Sequence, residues 1–412
     1  MEAFEGIRRT AQYAEDPISY LQNTLGMETF ESRKSMLSLP ETVDMDRYGT
    51  GEHRQHFEQH IAKLLGKQHG LFFITGIQAQ LAALKTHAER AGKTKLAWHV
   101  SSHLEFAEAR SFEELYGLER LLLGSNPEAL PTVDEIKEVL SLPKEERPAT
   151  ILIEVPNRVL GCKTYTVADL ESISSACREA AVAFHMDGAR IWEIEPYYQA
   201  TAGKSFVDIA ALFDTAYVSF YKGLGGVSGA MLVSNDESLI DEARLWQQRA
   251  GGKAFTLGYE VIDDERGFNE NIGTFARKRD KMIEVIDAVK AATAEYKAMD
   301  GSTIVNFLPE KPTCCQTHTV FEGYTVEQLV EARDRVKAKT NVSVFYRVRP
   351  KENMEAAGKK IHAEDGQADM EAVDGKRHFV EWMIMSVTEN IETQVFVDAY
   401  AELCKELIGK AS

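Results

Sequence analysis

The chain has 412 residues, enough for roughly two or three domains, and its hydrophobic fraction of 44% is ordinary for a globular protein with a large core. Its formal net charge of -17 would repel nucleic acid and anionic lipid, and the sequence contains no basic patch that offsets this charge. No apolar run approaches the length needed to span a bilayer, so a cytoplasmic location is the default expectation. The five cysteines are scattered without a CxxC pair, which argues against a disulfide framework and a zinc site.

The first 40 residues mix charged and apolar positions, and we expect an arm of one or two helices at 1–43 that packs onto another surface, such as a partner subunit. Pro40 marks the predicted end of the arm. The turn-rich segment 44–51 leads into an amphipathic helix that ends at Gly66. Three histidines fall at helical spacing in this region: His53, His56 and His60. Since neither an HExxH pattern nor a nearby cysteine accompanies them, we expect a solvated or interface face and no metal ion.

A buried strand is predicted at 70–74, and it runs directly into Thr75, Gly76 and Ile77 at the start of a helix. Thr75 is a good N-cap, and Gly76 lets the backbone approach a ligand closely. The free amides of a first helical turn attract anions, so this junction is a candidate phosphate site. The pattern is weak by itself, because such junctions occur throughout α/β proteins that bind nothing there.

The next predicted strand, 94–100, leads to His103, and a charged helical segment follows at 130–146. An imidazole at the end of a strand offers an aromatic face that can stack on a flat ring. The alternative interpretation is that His103 only caps the helix that follows it.

The strand 150–155, the helix 167–181 and the strand 182–187 are typical of a βαβ unit, whose parallel strands require a helical crossover. Asp187 ends the second of these strands, and Lys222 follows the next apolar strand along the chain. Ligands of open α/β sheets bind outside the carboxyl ends of the strands, where these two side chains would meet. The amine can form a Schiff base with an aldehyde, and the acid can keep a pyridine nitrogen protonated. The pair therefore predicts pyridoxal phosphate, although each residue alone would be an ordinary turn acid or surface lysine.

A long helix at 273–296 is predicted to connect a large domain, 44–275, to a small α+β domain, 276–412. The small domain contains a helix at 325–339 that begins with a capping box. Four strands accompany this helix, at 302–307, 316–321, 342–346 and 380–387. The polar segment 351–376 is interpreted as a long loop or insertion, for which a lid is one available role.

Two adjacent cysteines, Cys314 and Cys315, are predicted to lie in a strand with one side chain on each face. No basic neighbour in the sequence would lower the pKa of either thiol. We therefore expect buried, unreactive thiols and not a catalytic pair.

Four motifs occur in order along the chain: a strand–Thr–Gly–helix junction, a Ser-His pair followed by Glu108, a strand ending in His-Met-Asp-Gly-Ala-Arg, and a strand followed by Lys-Gly-Leu-Gly-Gly. Over 44–252 they resemble the threonine aldolase group of β-eliminating lyases, and a looser similarity continues to the end of the chain. The resemblance implies a fold-type-I, aspartate-aminotransferase-like enzyme with a mostly parallel central sheet in a large domain and a smaller α+β carboxyl-terminal domain. It also implies a homodimer or homotetramer with shared active sites.

The resemblance further implies roles for individual residues. The cofactor residues it implies are Thr75, Gly76 and Ile77 around the phosphate, His103 on the ring, Asp187 at the pyridine nitrogen and Lys222 as the Schiff-base lysine. Arg190 resembles the arginine that binds the substrate carboxylate, a role that suits a planar bidentate donor. Tyr48 corresponds to a tyrosine near the active site of the family dimer. A base near His103 or Glu108 would take the β-hydroxyl proton of the substrate.

The chain also departs from the family pattern. The family's Glu-Asn-Thr-His-Asn motif is replaced by Glu-Val-Pro-Asn-Arg at 154–158, so that Asn157 stands where a second active-site histidine is usual. The family's second carboxylate-binding arginine would align near Val380, and four arginines are candidates to replace it: Arg158, Arg347, Arg349 and Arg377. We therefore count Asn157 and Arg158 among the expected substrate-binding residues.

The expected reaction is cleavage of the Cα–Cβ bond of a β-hydroxy-α-amino acid to glycine and an aldehyde. One alternative is β-elimination or racemisation, which breaks Cα–H and needs only Lys222 as the base. A second alternative is an inactive α/β scaffold, which the presence of Lys222, Asp187, His103 and Arg190 disfavours. The expected partner is a small amino-acid substrate, with neither nucleic acid nor membrane.

Overall fold

A computed structural model describes residues 3–298, 300–350 and 377–408 of the chain. The insertion predicted at 351–376 lies outside these described residues. Within them, no helix combines the length and the apolar character that crossing a bilayer requires.

A mostly parallel sheet of seven strands, counted over the described residues, forms the centre of the larger part of the chain. Its strands are β1 (His69–Phe73), β2 (Lys95–His99), β3 (Glu119–Leu123), β4 (Thr150–Glu154), β5 (Ala183–Gly188), β6 (Thr215–Ser219) and β7 (Ala230–Ser234). They lie in the order β1-β7-β6-β5-β4-β2-β3. Strand β7 is antiparallel to β1 and β6, and the other pairs are parallel. The predicted α/β fold with a mostly parallel central sheet is confirmed.

Helices connect and precede these strands. They are α1 (Ala3–Glu15), α2 (Pro17–Leu25), α3 (Met27–Arg33), α4 (Glu52–Leu64), α5 (Gly76–Ala91), α6 (His103–Phe106), α7 (Ser111–Glu114), α8 (Val133–Ser141), α9 (Val167–Ala180), α10 (Ile191–Ala202), α11 (Phe206–Ala210), α12 (Glu237–Arg249), α13 (Gly258–Asn271) and α14 (Phe275–Thr293). Local sequence sets several of their first residues. Thr132 and Thr166 open α8 and α9 with capping boxes, in which the threonine and an acid three residues later satisfy each other's free amides.

The order of the strands brings three polar residues to one edge of the sheet. Strands β4, β5 and β6 are parallel neighbours, with Glu154 in register with Asp187 and Asp187 in register with Tyr217. Lys222 follows three residues after the end of β6. Because parallel strands present their carboxyl ends at the same edge, the two acids at the ends of β4 and β5 and the lysine after β6 share one crevice.

The amino-terminal arm contains three helices in the part of the chain that the structure describes, where one or two were expected. Asp16 caps the start of α2, and Gly26, at φ 80°, ends it before α3 begins. The arm packs onto α13 of its own chain: Tyr13 Oη donates to Glu265 at 2.9 Å, and Asn269 Nδ2 donates to Tyr13 Oη at 2.9 Å.

The three histidines of the α4 region contact separate protein groups. His53 Nε2 lies 2.7 Å from Glu265 Oε2, and His56 Nδ1 lies 3.4 Å from Ser38 Oγ. His60 Nε2 lies 2.9 Å from a backbone carbonyl of the arm. These histidines therefore link α4 to the arm and to α13.

The carboxyl-terminal part contains a second, antiparallel sheet in the order β10-β11-β9-β8. Its elements are β8 (Asn306–Leu308), β9 (Gln316–Glu322), α15 (Val326–Thr340), β10 (Arg349–Pro350), β11 (Arg377–Met383) and α16 (Thr393–Ile408). Strands and helices pack together here as expected for a small α+β region. The domain boundaries after residues 43 and 275 stay predictions.

The strand predicted at 342–346 is wrong, because this segment is irregular. Ser343 Oγ donates to the Phe345 carbonyl at 3.0 Å, and Arg333 Nη1 donates to the Tyr346 carbonyl at 2.8 Å. These side chains occupy carbonyls that a strand ladder would use, so the strand propensity of the segment is overridden.

The strand predicted around Cys314 and Cys315 is also wrong, since both residues lie in a bend before β9. The Cys314 thiol donates to the Gln316 carbonyl, two residues further along the chain, at 3.7 Å. Both thiols are 0% exposed, and burial raises the pKa of Cys315 well above its usual value. The expected burial of both thiols is confirmed, and their lack of reactivity stays a prediction.

Candidate active site

A cavity opens at the carboxyl ends of β4, β5 and β6, and the space between its walls, including its solvent-open mouth, is about 440 Å³. Its walls come from the α5 start, the α6 region, the loop after β4, the α10 start and the segment after β6. The lining residues are Gly76, Ile77, His103, Glu108, Glu154, Pro156, Arg158, Asp187, Ala189, Arg190, Tyr217, Tyr221 and Lys222. The cavity therefore unites eight of the eleven residues that the sequence singled out, and it excludes Thr75, Asn157 and Tyr48.

Lys222 brings an amine to the floor of this cavity. Burial, followed by the positive charge of Arg190, lowers the pKa of Lys222 to about 8, although Asp187 opposes the shift. A lysine with such a pKa exposes a neutral, nucleophilic amine at a pH where an ordinary lysine is protonated. This amine suits covalent capture of an aldehyde.

Two carboxylates lie side by side opposite the lysine. Asp187 Oδ1 accepts the Ala189 backbone amide at 3.0 Å, which holds the carboxylate at the mouth of β5. Glu154 occupies the matching position on β4, and its Oε1 accepts the His103 backbone amide at 2.6 Å. Burial and then the charge of Asp187 raise the pKa of Glu154 to about 7. Near neutral pH this pair consequently holds one proton more readily than two isolated acids would.

Glu108 orients His103. The two side chains meet at 2.8 Å between Glu108 Oε1 and His103 Nδ1. Burial lowers the pKa of His103, but the hydrogen bond and charge of Glu108 outweigh burial, and the pKa is raised overall. Burial raises the pKa of Glu108, and its Oε2 atom is buried without a hydrogen-bond partner among the described residues. This His103–Glu108 dyad leaves the Nε2 side of the imidazole available for other contacts.

The start of α5 forms a further wall of the cavity. Thr75 Oγ1 accepts the Gln78 amide at 3.2 Å, so its side chain caps the helix outside the cavity, while Gly76 and Ile77 line it. A Cβ atom at Gly76 would lie 2.0 Å from Tyr217 Oη. Only glycine leaves room here for the tyrosine hydroxyl. The free amides of a first helical turn attract anions, so the expected phosphate site at this turn stays a prediction.

Both arginines that line the cavity form ion pairs with carboxylates of the protein. Arg190 Nη1 pairs with Glu193 Oε2 at 2.8 Å, and Arg190 Nε is buried with no hydrogen-bond partner in the described chain. Arg158 forms a two-pronged pair with Glu381 on β11, at 2.9 Å from Nε to Oε1 and 2.5 Å from Nη2 to Oε2. Each guanidinium keeps further N–H groups for a ligand.

Asn157 and Tyr48 lie elsewhere. Asn157 is buried, donates from Nδ2 to Ser101 Oγ at 2.8 Å and accepts the Leu160 amide at 3.0 Å, so its amide supports the loop after β4. Tyr48 is 54% exposed at φ 54°, and its ring packs edge-on against Phe255 with centroids 5.4 Å apart. Neither side chain reaches the cavity of its own chain.

Sequence reasoning assigned no role to several cavity residues. Glu154 ends a fully buried strand with an acid, and this pattern is a signal for a functional carboxylate that the sequence contains. Tyr217 and Tyr221 belong to the stretch that leads to Lys222, and their exact placement depends on how α5 packs onto β6. Strand periodicity alone could not show that Tyr217 meets Gly76.

The donor set fits pyridoxal phosphate. A lysine of lowered pKa faces a strand-end carboxylate, and the glycine turn at Gly76 is kept free of a side chain. Two buried polar atoms of lining residues, Glu108 Oε2 and Arg190 Nε, have no hydrogen-bond partner among the described residues, which is a common feature of sites for polar ligands.

The family model for β-eliminating lyases matches residues 26–305, which is more than half of the chain. Among relatives, the chain is 26% identical to uncharacterized protein R102.4 of Caenorhabditis elegans, over 57% of this chain and 55% of that protein. It is also 26% identical to alanine racemase TOXG of Cochliobolus carbonum, over 60% of this chain and 62% of that protein. The chain thus spans little more than half the length of these two relatives.

A solved structure from Listeria monocytogenes EGD-E, named a "putative L-allo-threonine aldolase", matches with a TM-score of 0.73 and 29% identity. The match covers 94% of this chain and 99% of that one. Together with the family model, it supports fold, cofactor and reaction class. The chain therefore belongs to the β-eliminating lyase family of fold-type-I enzymes, which depend on pyridoxal phosphate.

Proposed function

We propose that this protein is a lyase that cleaves the Cα–Cβ bond of a β-hydroxy-α-amino acid and releases glycine and an aldehyde. The observation that carries the proposal is the cavity in which Lys222 and Asp187 face the His103–Glu108 dyad and two arginines. When bound, pyridoxal phosphate supplies an electron sink for the charge released at Cα.

Recognition of the substrate carboxylate is assigned to Arg190 and Arg158. Each guanidinium is held on one side by a protein acid, Glu193 or Glu381, and both line the same cavity. A guanidinium fixed in this way loses little further freedom when a carboxylate binds, so it can set the orientation of Cα.

Removal of the β-hydroxyl proton is assigned to His103. Glu108 holds Nδ1, which leaves Nε2 to accept a proton, and the acid stabilises the imidazolium that forms. Asp187, which lines the cavity at the carboxyl end of β5, is assigned to the pyridine nitrogen of the cofactor. Lys222 provides the amine that captures the aldehyde of the cofactor.

A second candidate is racemisation or β-elimination, in which Lys222 itself removes the Cα proton. The similarity to an alanine racemase, TOXG, favours keeping this candidate. A scaffold without activity is disfavoured, because a lysine of lowered pKa and two unpartnered buried polar atoms, Glu108 Oε2 and Arg190 Nε, in one cavity are typical of a functional site.

We further propose a homodimer or homotetramer in the cytoplasm. Several aromatic side chains are exposed together near the turn at 44–51: Tyr48 at 54%, Phe255 at 60% and Tyr259 at 68%. Exposed aromatic groups of this kind are typical of a protein interface. In such an assembly Tyr48 would serve the active site of a neighbouring subunit.

The decisive assay uses threonine, allo-threonine and phenylserine with the purified holoenzyme, and it measures aldehyde release. We expect aldehyde from at least one of them and none from Lys222→Ala. If serine or cysteine yields pyruvate and ammonia while no aldehyde appears, the elimination candidate replaces the aldolase. Inversion of alanine without either product would establish the racemase.

A further inference from the structure

A carboxylate from the small sheet holds an arginine of the cavity. Glu381 lies on β11, whereas Arg158 lies in the loop after β4, and the two pair through two contacts of 2.9 and 2.5 Å. Arg158 lines the cavity, and Glu381 lies behind it, away from the lining. The contact therefore connects the small sheet to the substrate space through one guanidinium.

Glu381 is itself firmly placed. Gln316, on the neighbouring strand β9, donates from Nε2 to Glu381 Oε1. Burial would raise the pKa of Glu381, but the hydrogen bonds and charge of Arg158 outweigh it and lower the pKa to about 2. The carboxylate is thus ionised throughout the neutral range, and its position is fixed by two strands of the sheet.

The geometry leaves a defined edge of Arg158 for a ligand. Glu381 takes the edge formed by Nε and Nη2, so Nη1 and the second hydrogen of Nη2 are the donors that remain. An arginine without such a partner samples many rotamers. Part of the free energy of ligand binding is then spent on ordering the arginine side chain. A guanidinium clamped on one edge presents the other in a single orientation.

We propose that Glu381 is a positioning residue, which aims Arg158 at the carboxylate of the amino-acid substrate and so selects α-amino acids over simple amines. The inference rests on the proposed function for the identity of the substrate class. It goes further in assigning the selection of the carboxylate to a residue that does not touch the ligand.

The test measures binding of glycine and of ethanolamine, an amine without a carboxylate, to the holoenzyme by the change in its visible absorption. Glu381→Gln keeps the shape of the side chain and removes its charge. We expect the glycine dissociation constant to rise about tenfold, which corresponds to the loss of roughly one charge-assisted hydrogen bond. The ethanolamine constant should change less than about twofold, and Glu381→Asp should recover part of the glycine affinity.

A matched control is Glu389→Gln, which breaks the ion pair between Glu389 and Arg277, two residues that lie outside the cavity lining. It should leave both constants unchanged. Equal weakening of glycine and ethanolamine in Glu381→Gln, or no change in either, overturns the proposal. Thermal unfolding of each variant shows whether it folds normally. If Glu381→Gln has a folding defect, the glycine and ethanolamine dissociation constants of Glu381→Asp decide the proposal.

This binding assay needs no bond cleavage. If no aldehyde forms from any hydroxy amino acid, the aldolase proposal fails, while selective loss of glycine affinity still supports the role of Glu381. If aldehyde forms but the glycine affinity does not change in Glu381→Gln, the aldolase proposal stands and the proposed role of Glu381 is refuted.

Discussion

Glu154 and Asp187 lie in register on adjacent parallel strands at the point where both strands reach the cavity. Both side chains are buried, at 8% and 5% residue exposure. Burial makes ionisation of Glu154 costly, and repulsion from the charge of Asp187 adds to this cost. Glu154 carries the consequence, with its pKa raised to about 7.

Glu154→Gln is expected to change the pH dependence of stability. The folded pKa of Glu154 exceeds its usual value of 4.5, so the folded state holds a proton that the unfolded state has lost between pH 4.5 and about 7. The free energy of unfolding of the native protein should therefore fall over this window relative to the variant, by on the order of 1–3 kcal/mol. Urea denaturation of the native protein and of the variant at pH 5 and pH 8 measures these free energies of unfolding. The prediction is contradicted if the free energies of unfolding of the native protein and the variant differ by the same amount at both pH values.

The capture of pyridoxal phosphate by Lys222 is expected to depend on pH near 8. Because the pKa of Lys222 is lowered to about 8, the neutral amine becomes available as the pH rises through that value. The rate of colour formation in the protein freed of cofactor should increase between pH 7 and 9 and then level off. Lys222→Ala should form no colour. A rate that continues to rise up to pH 10 would show that burial does not lower the pKa.

Gly76→Ala is expected to weaken cofactor binding. The new Cβ would lie 2.0 Å from Tyr217 Oη, so the α5 turn or the tyrosine must move. Forcing a methyl group into occupied space costs about 1–3 kcal/mol, which predicts a loss of cofactor affinity of about tenfold or more. Fluorescence titration with pyridoxal phosphate measures it.

The control is Gly92→Ala at the other end of the same helix. No atom lies within 4 Å of the new Cβ there, but φ is +65°, so the variant should lose stability through backbone strain and keep cofactor affinity. Equal cofactor affinities in the two variants would refute a local effect of the turn at Gly76.

Glu108→Gln is expected to lower the pKa of His103. Burial lowers this pKa and Glu108 raises it, so removal of the acid leaves burial dominant. A histidine acts as a base in its neutral form, which is present above its pKa, so the acid limb of the pH profile for aldehyde release should move to lower pH while the maximum rate falls. Measurement of kcat/KM against pH tests both effects.

Glu113→Gln is the matched control for this acid, because Glu113 pairs with the surface residue Arg110 and lies outside the cavity lining. Its profile should coincide with that of the native protein. A shift of similar size in both variants would indicate a general charge effect and not the dyad.

Much of the fold was predictable because its signals are local. A buried run such as β5 carries an acid at its carboxyl end, and threonine caps open α8 and α9. Both features act over a few residues. The segment 342–346 was not predictable in the same way. Its strand propensity yields to Arg333, which reaches a carbonyl thirteen residues away.

The sequence by itself determined the pairing of a strand-end acid with a lysine and the glycine turn that precedes α5, since the order of strands and loops carries these features. The tertiary structure decided which side chains complete the site. Arg158 meets Glu381 across 223 residues, and Asn157 turns to Ser101 across 56. Contacts of that kind depend on how distant elements pack, and no periodicity within a single strand or helix encodes them.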